Sequence, residues 1–131
     1  TLTKQAKQKF YLLKKFSVPN PKSQDGLPMK VEILELAEKE LEDAVLYYEL
    51  EQYGLGLRFK EAVRRSINRI KRYPTSWPIE RGEVRKFFVQ KFPYKILFSL
   101  KKQKIVILAI AHQHRKPEYW LERLKYTNQG N

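Results

Sequence analysis

Beyond residue 30 the chain changes its hydrophobic period twice. Residues 31–34 (VEIL) alternate as a short strand does. Leu36, Ala37, Leu41, Ala44, Val45 and Tyr48 then recur at helical spacing, and Phe59, Val63, Ile67, Ile70 and Tyr73 repeat that stripe. Gly54 and Gly56 in YGLG separate the two runs, and Pro74 stops the second. Two helices joined by so short a turn must lie antiparallel, as an αα-hairpin. Glu35, Glu38 and Glu40 sit near the start of the first helix, where its dipole favours negative charge.

Past residue 83 the period shortens to two. VRKFFV (84–89) is β-prone, and YKILFSL (94–100) puts Tyr94, Ile96, Phe98 and Leu100 on one face. The segment PTSWPIERGE (74–83), with Pro74, Pro78 and Gly82, reads as a loop, and KKQK (101–104) reads as a hairpin turn. IVILAIA (105–111) is apolar at every position and is therefore expected to be a central strand buried on both faces. Pro117 opens a last helical segment, EYWLERL. The predicted order is β-α-α-β-β-β-α. It describes an α+β domain in which a helical hairpin packs on a small, mostly antiparallel, four-stranded sheet.

Ahead of this lie residues 1–28. A basic stretch, 3–16, has Phe10, Leu13 and Tyr11 on one stripe and reads either as a flexible extension or as a docking helix for another chain or for the domain itself. Residues 17–28 hold Pro19, Pro21, Gly26 and Pro28 and read as a linker. Met29 is the sole methionine and the expected native start, so the folded domain is expected to span residues 29–131. No apolar run is long enough to cross a membrane, and the basic start lacks the apolar core of a signal peptide. The absence of cysteine excludes disulfides, Cys-based zinc sites and thiol nucleophiles, and it fits a cytoplasmic setting.

Charge sharpens the picture. The net charge of +13 divides into +5 in residues 1–28, zero in 29–73 and +8 in 74–131. The balanced middle reads as ordinary solvated helices. The basic C-terminal part reads as a surface for a polyanion, whether RNA, DNA or an acidic protein partner.

The densest chemistry is at residues 105–120, IVILAIAHQHRKPEYW, where the apolar strand ends in His112, His114, Arg115 and Lys116. Arg115 and Arg85 are candidate phosphate clamps, since a guanidinium is a planar, permanently charged fork. Lys86, Lys91 and Lys95 add point charges, although strand alternation turns Lys86 away from Arg85, Phe87 and Val89. His112 and His114 titrate near neutrality and are either acid–base groups or structural histidines. Tyr119 and Trp120 read either as base-stacking aromatics or as packing for the last helix; packing is the preferred reading for Trp120. Tyr94 and Phe98 read as core. His-x-His alone is too few ligands for a metal, and there is no Gly-rich phosphate loop or nucleophile triad, so no metal or cofactor is expected.

The ordered set of VRKFFVQKFPYKILFSL and IVILAIAHQHRKPEYW resembles the RelE/ParE superfamily of type II toxin–antitoxin toxins, particularly its plasmid-stabilisation members. Arg85, Phe92-Pro93-Tyr94, Ala111-His112, Arg115, Pro117 and Tyr119-Trp120 carry the resemblance, within about residues 29–124. It implies a growth-inhibiting toxin neutralised by a cognate antitoxin whose acidic segment covers the basic sheet edge near Arg85 and Arg115. RelE-like members cut mRNA on the ribosome, which would make Arg85, His112, Arg115 and Tyr119 the catalytic set of a metal-free endoribonuclease. Lys86, Lys91, Lys95, His114 and Lys116 would then grip RNA or a partner. ParE-like members inhibit DNA gyrase without hydrolysis, and an inactive member would only bind a partner. The strand RKFFVQK is more apolar than ribosome-dependent relatives usually show, which thins the catalytic reading.

Overall fold

A computed structural model describes residues 29–127. The candidate docking segment 3–16 and the linker 17–28 lie outside the described residues, as do the last four positions of the expected domain. The chain forms strand β1 (Lys30–Ile33), helices α1 (Glu35–Glu51) and α2 (Leu55–Arg72), and strands β2 (Ile79–Arg81), β3 (Val84–Phe88), β4 (Tyr94–Lys101) and β5 (Lys104–His112). A closing 3₁₀ turn covers Leu121–Tyr126. The sheet has five strands in the order β1-β5-β4-β3-β2. Among the described strands only β1 and β5 run parallel, and the helical hairpin carries the chain from β1 at one edge of the sheet to β2 at the other.

The α+β class and the helix pair agree with expectation, but two elements differ. The segment read as a loop contributes β2, whose Ile79 pairs with Arg85 and Arg81 with Val84 across an irregular register. Three residues between Pro78 and Gly82 are too few to display a period. The expected last α-helix is instead a 3₁₀ turn that begins after Trp120. Pro117 does not open it, because Glu118 takes φ 67°, a left-handed conformation that a helix cannot contain.

The hairpin lies on one face of the sheet. Ala37, Leu41, Ala44 and Val45 of α1 and Phe59, Val63, Ile67 and Ile70 of α2 pack on Ile96, Phe98, Ile105, Ile107 and Ile110. Leu36 and Tyr73, which fall on the helical stripes, are exposed. The α1–α2 turn is closed by Glu49, whose two carboxylate oxygens accept the Gly54 and Gly56 N–H groups at 2.9 and 3.0 Å. That carboxylate caps the start of α2 in place of an N-cap side chain. Gly56 is required here by close approach: a Cβ would lie 2.5 Å from the Val45 carbonyl oxygen.

The opposite face carries a smaller cluster of Val84, Leu97, Leu108, Ala109 and buried Trp120. Strand β5 therefore feeds two cores, as an all-apolar strand must. It does so through a bulge: Leu97 pairs with Ala109 but Phe98 with Ile107, leaving Leu108 as the extra residue. The extra residue shifts the alternation, so Ile105, Ile107 and Ile110 all reach the helices while Leu108 and Ala109 share the other face. Phe98 and Tyr94 pack in the core and Trp120 packs on the sheet, as the sequence suggests.

Gly56→Ala should destabilise the fold by about 1–3 kcal/mol, the usual range for overpacking. Urea unfolding would check this, with the loss absent from a control substitution at solvent-facing Arg72.

Candidate functional site

The C-terminal end of β5 is built around a problem of unpaired backbone. Strand β1 stops at Ile33, and its last contribution is the Leu34 N–H, which donates to the Ile107 carbonyl at 3.1 Å. Beyond that point the β1 side of β5 has no neighbouring strand among the described residues. Two side chains take over. The Ile110 N–H donates to Glu40 Oε1 at 3.0 Å, and Arg123 Nη1 donates to the Leu108 carbonyl at 3.0 Å.

Glu40 and Arg123 also bind each other. Arg123 Nη1 and Nη2 reach Glu40 Oε1 and Oε2 at 2.9 and 3.0 Å, a bidentate pair that is largely buried. The Tyr119 hydroxyl donates to Glu40 Oε2 at 2.5 Å. Burial, and then the hydrogen bond to Glu40, push the Tyr119 phenol well above its ordinary range. Above the Tyr119 ring lie the guanidinium of Arg115, at 3.9 Å from the centroid, and that of Arg123, at 5.0 Å. Glu40 thus joins α1, the open edge of β5 and the C-terminal segment.

Three of the four candidate catalytic residues, His112, Arg115 and Tyr119, gather at the end of β5, and Arg85 stands apart. Arg115 and Tyr119 meet, as do His112 and His114, whose rings lie 5.2 Å apart. His112 Nδ1 accepts the His114 N–H at 3.1 Å, and its ring stands edge-on to Tyr94 at 5.2 Å. Arg85 is elsewhere. It faces the helix side of β3 with Phe87, and its Nη1 donates to the Trp77 carbonyl at 2.7 Å. Arg85 pairs with Phe98 while His112 pairs with Tyr94. That places them about 13 Å apart along the strands and about 10 Å across them.

The candidate binding cations divide similarly. Lys86 lies on the face away from the helices, and both it and Lys95 pair with Glu80 of β2, at 3.5 and 3.1 Å. Lys91 occupies the β3–β4 turn at φ 71°, and His114 and Lys116 are exposed beyond β5. Glu118, next to them, pairs with Arg81. Among the described residues no group of three or more His, Cys, Asp or Glu side chains could hold a metal ion. No helix of the described residues is long and apolar enough to cross a membrane.

Sequence reading missed Glu40, Arg123 and Glu80. Glu40 left one faint signal: it lies three residues after Ala37 and four before Ala44, at the margin of a buried stripe. Glu80 left none, because its strand had not been recognised. The charge reading also needs correction. The electrically balanced stretch 29–73 is a sum of opposites, with net −6 in α1 and net +6 in α2.

Arg65 and Arg69 of α2 border a groove of about 510 Å³ against β3, floored by Trp77, Phe87 and Val89; the Phe88 ring lies with Lys86 on the other face of β3. Arg69 lies over the Trp77 ring at 5.9 Å. Phe88 is half exposed, and the buried Trp77 Nε1 has no hydrogen-bond partner. Cationic walls, an aromatic floor and an unsatisfied donor suit an apolar side chain flanked by carboxylates.

Glu40→Gln should cost about 3 kcal/mol, because it leaves the Arg123 charge uncompensated in a mostly buried site. Adding Arg123→Met should recover part of that loss in urea unfolding. The phenol of Tyr119 holds its proton more tightly folded than unfolded. Its contribution is therefore complete below the ordinary tyrosine value of 10.0 and is lost as pH rises beyond it. Tyr119→Phe should accordingly flatten the fall of stability above pH 10, measured by unfolding at a series of alkaline pH values.

Known proteins place this geometry. Residues 31–117 match the family model described as the ParE toxin of the type II toxin–antitoxin system parDE. Among solved structures, the chromosomal ParDE toxin–antitoxin system from P. aeruginosa superposes with a TM-score of 0.55 at 20% identity, covering 64% of this chain and 95% of that one. A search of curated proteins finds no significant relative. The fold is shared with that structure, and the sequence match takes in β1 through Pro117; the chain belongs to the ParE toxin family of type II toxin–antitoxin systems, within the RelE/ParE superfamily.

Proposed function

We propose that this toxin arrests growth by binding DNA gyrase rather than by cutting mRNA, and that its antitoxin neutralises it from the groove between α2 and β3. One observation carries the first half: Arg85, His112 and Tyr119 are each committed to intramolecular contacts, and Arg85 stands far from the other two. RNA cleavage by 2′-hydroxyl attack needs a base, a cation and an acid around one phosphate. Tyr119 is a poor proton acceptor, since its hydroxyl already donates to Glu40 and its proton is held tightly. A toxin that acts by occupying a surface needs no such convergence.

The antitoxin reading rests on the groove. An acidic, partly helical segment that folds on binding would set carboxylates against Arg65 and Arg69 and an apolar side chain against Trp77 and Phe87. Arg85 supports that floor from beneath through the Trp77 carbonyl. Its role is thus to shape the partner site, where the sequence alone suggested direct contact.

Induction without antitoxin should raise the DNA-damage response and accumulate gyrase-linked DNA breaks while translation continues. The purified protein should inhibit gyrase supercoiling, and Arg115→Ala should leave the RNA profile of induced cells unchanged. Ribosome-bound mRNA cut within minutes, and lost in Arg115→Ala, would instead establish the mRNA-cleaving reading. For the groove, Arg65→Glu with Arg69→Glu should weaken antitoxin binding by about 100-fold in calorimetry, the scale of removing central charged contacts.

A further inference from the structure

The tip of the helical hairpin is apolar and uncovered. Tyr47 is 58% exposed, Leu50 71%, Tyr53 95% and Leu57 42%. They come from the end of α1, the turn and the start of α2, so they form one local patch at the tip. Its surroundings on α1 are acidic: Asp43 and Glu51 are exposed beside it, and the helix as a whole carries net −6. An apolar patch in an acidic field calls for a basic amphipathic occupant.

The chain carries such an occupant. Residues 1–28 hold net +5, and Phe10, Leu13 and Tyr11 lie among their lysines. We propose that residues 3–16 dock in cis on the outer face of the hairpin, with Phe10 and Leu13 on the tip patch and the lysines over the acidic side of α1. A second copy of the chain would bring helices of both signs, net −6 in α1 and net +6 in α2, whereas residues 3–16 hold five lysines and no carboxylate. The N-terminal segment meets it with opposite charge.

The tether allows it. Met29 is buried at the entry to β1, beside the β4–β5 turn, where the Lys30 N–H donates to the Gln103 carbonyl. The hairpin tip is at the other end of the sheet, since Tyr48 packs on Phe92 and Tyr94 at the start of β4. That separation is roughly the length of β5, about 30 Å. Residues 17–28 span about 40 Å when extended. This docking does not depend on the toxin's target.

Hydrogen–deuterium exchange on the full chain tests it. Amides of residues 3–16 should exchange at least about tenfold slower than an unstructured peptide of the same sequence. Protection should fall to the peptide rate in Leu50→Ser with Tyr53→Ser, and equally in Leu13→Asp, while β4 and β5 stay protected as a control on folding. Raised salt should weaken it, as for any pairing of exposed charges. Peptide-like exchange in the parent protein, or protection that survives both variants, overturns the proposal. Protection that disappears on dilution, with a dimer seen by light scattering, assigns the patch to a second copy and overturns it as well.

Discussion

One constraint organises the functional end of this molecule: a buried strand edge must have partners. Strand β1 is four residues long and β5 is nine, so the C-terminal part of β5 extends beyond its parallel neighbour. Unpaired backbone groups there would each cost about 1–3 kcal/mol. Glu40 and Arg123 supply the missing acceptor and donor, and they neutralise each other in doing so. The same pair fixes α1 against the sheet and the closing turn against β5. Tyr119, and through its ring Arg115, inherit their positions from that pair.

The net charge gives a misleading view of the surface. Lys86 and Lys95 meet Glu80, Lys101 meets Glu83, and Lys104 meets Glu32 across neighbouring strands. Partly exposed pairs of this kind add little stability. They do cancel the local field, so the strands that look like a polyanion platform in sequence present a muted one. The concentrated fields lie elsewhere, negative along α1 and positive along α2. The groove draws its cations from α2 and its aromatic floor from β3 and the loop before β2. The proposed partner surface is therefore helical, where the sequence pattern points to the sheet.

The architecture was legible wherever a period ran long enough. Both helices and β3 to β5 announce themselves over five residues or more, and the Gly and Pro positions mark their ends. Strand β2 has three residues and pairs irregularly, so it is defined by β3 and leaves no pattern of its own. The bulge at Leu108 was hidden for the opposite reason. In IVILAIA every position is apolar, so a one-residue shift of face exchanges one hydrophobic residue for another. The last segment failed on a single residue, Glu118, whose left-handed backbone nothing in the sequence foretold. At the site, Arg115 and the histidines were visible as an unusual string. Glu40 was one carboxylate among many on an acidic helix, and its partner lies 83 residues away.

That arrangement sets binding and chemistry at this end of the sheet in different relations to stability. For Tyr119 to exchange a proton with a substrate, its hydroxyl would have to leave Glu40, and the carboxylate would lose one of the donors that hold it against Arg123 and the β5 edge. Catalysis there would draw on the contacts that close the sheet. Recognition through the α2 groove makes no such demand. Arg65 and Arg69 are exposed, and the Trp77 indole N–H is already without a partner. A partner in the groove would meet Arg65 and Arg69 without breaking the contacts of Glu40. Chemistry at Tyr119 would, by contrast, oppose stability. The proposed action by occupation leaves the contacts of Glu40 intact.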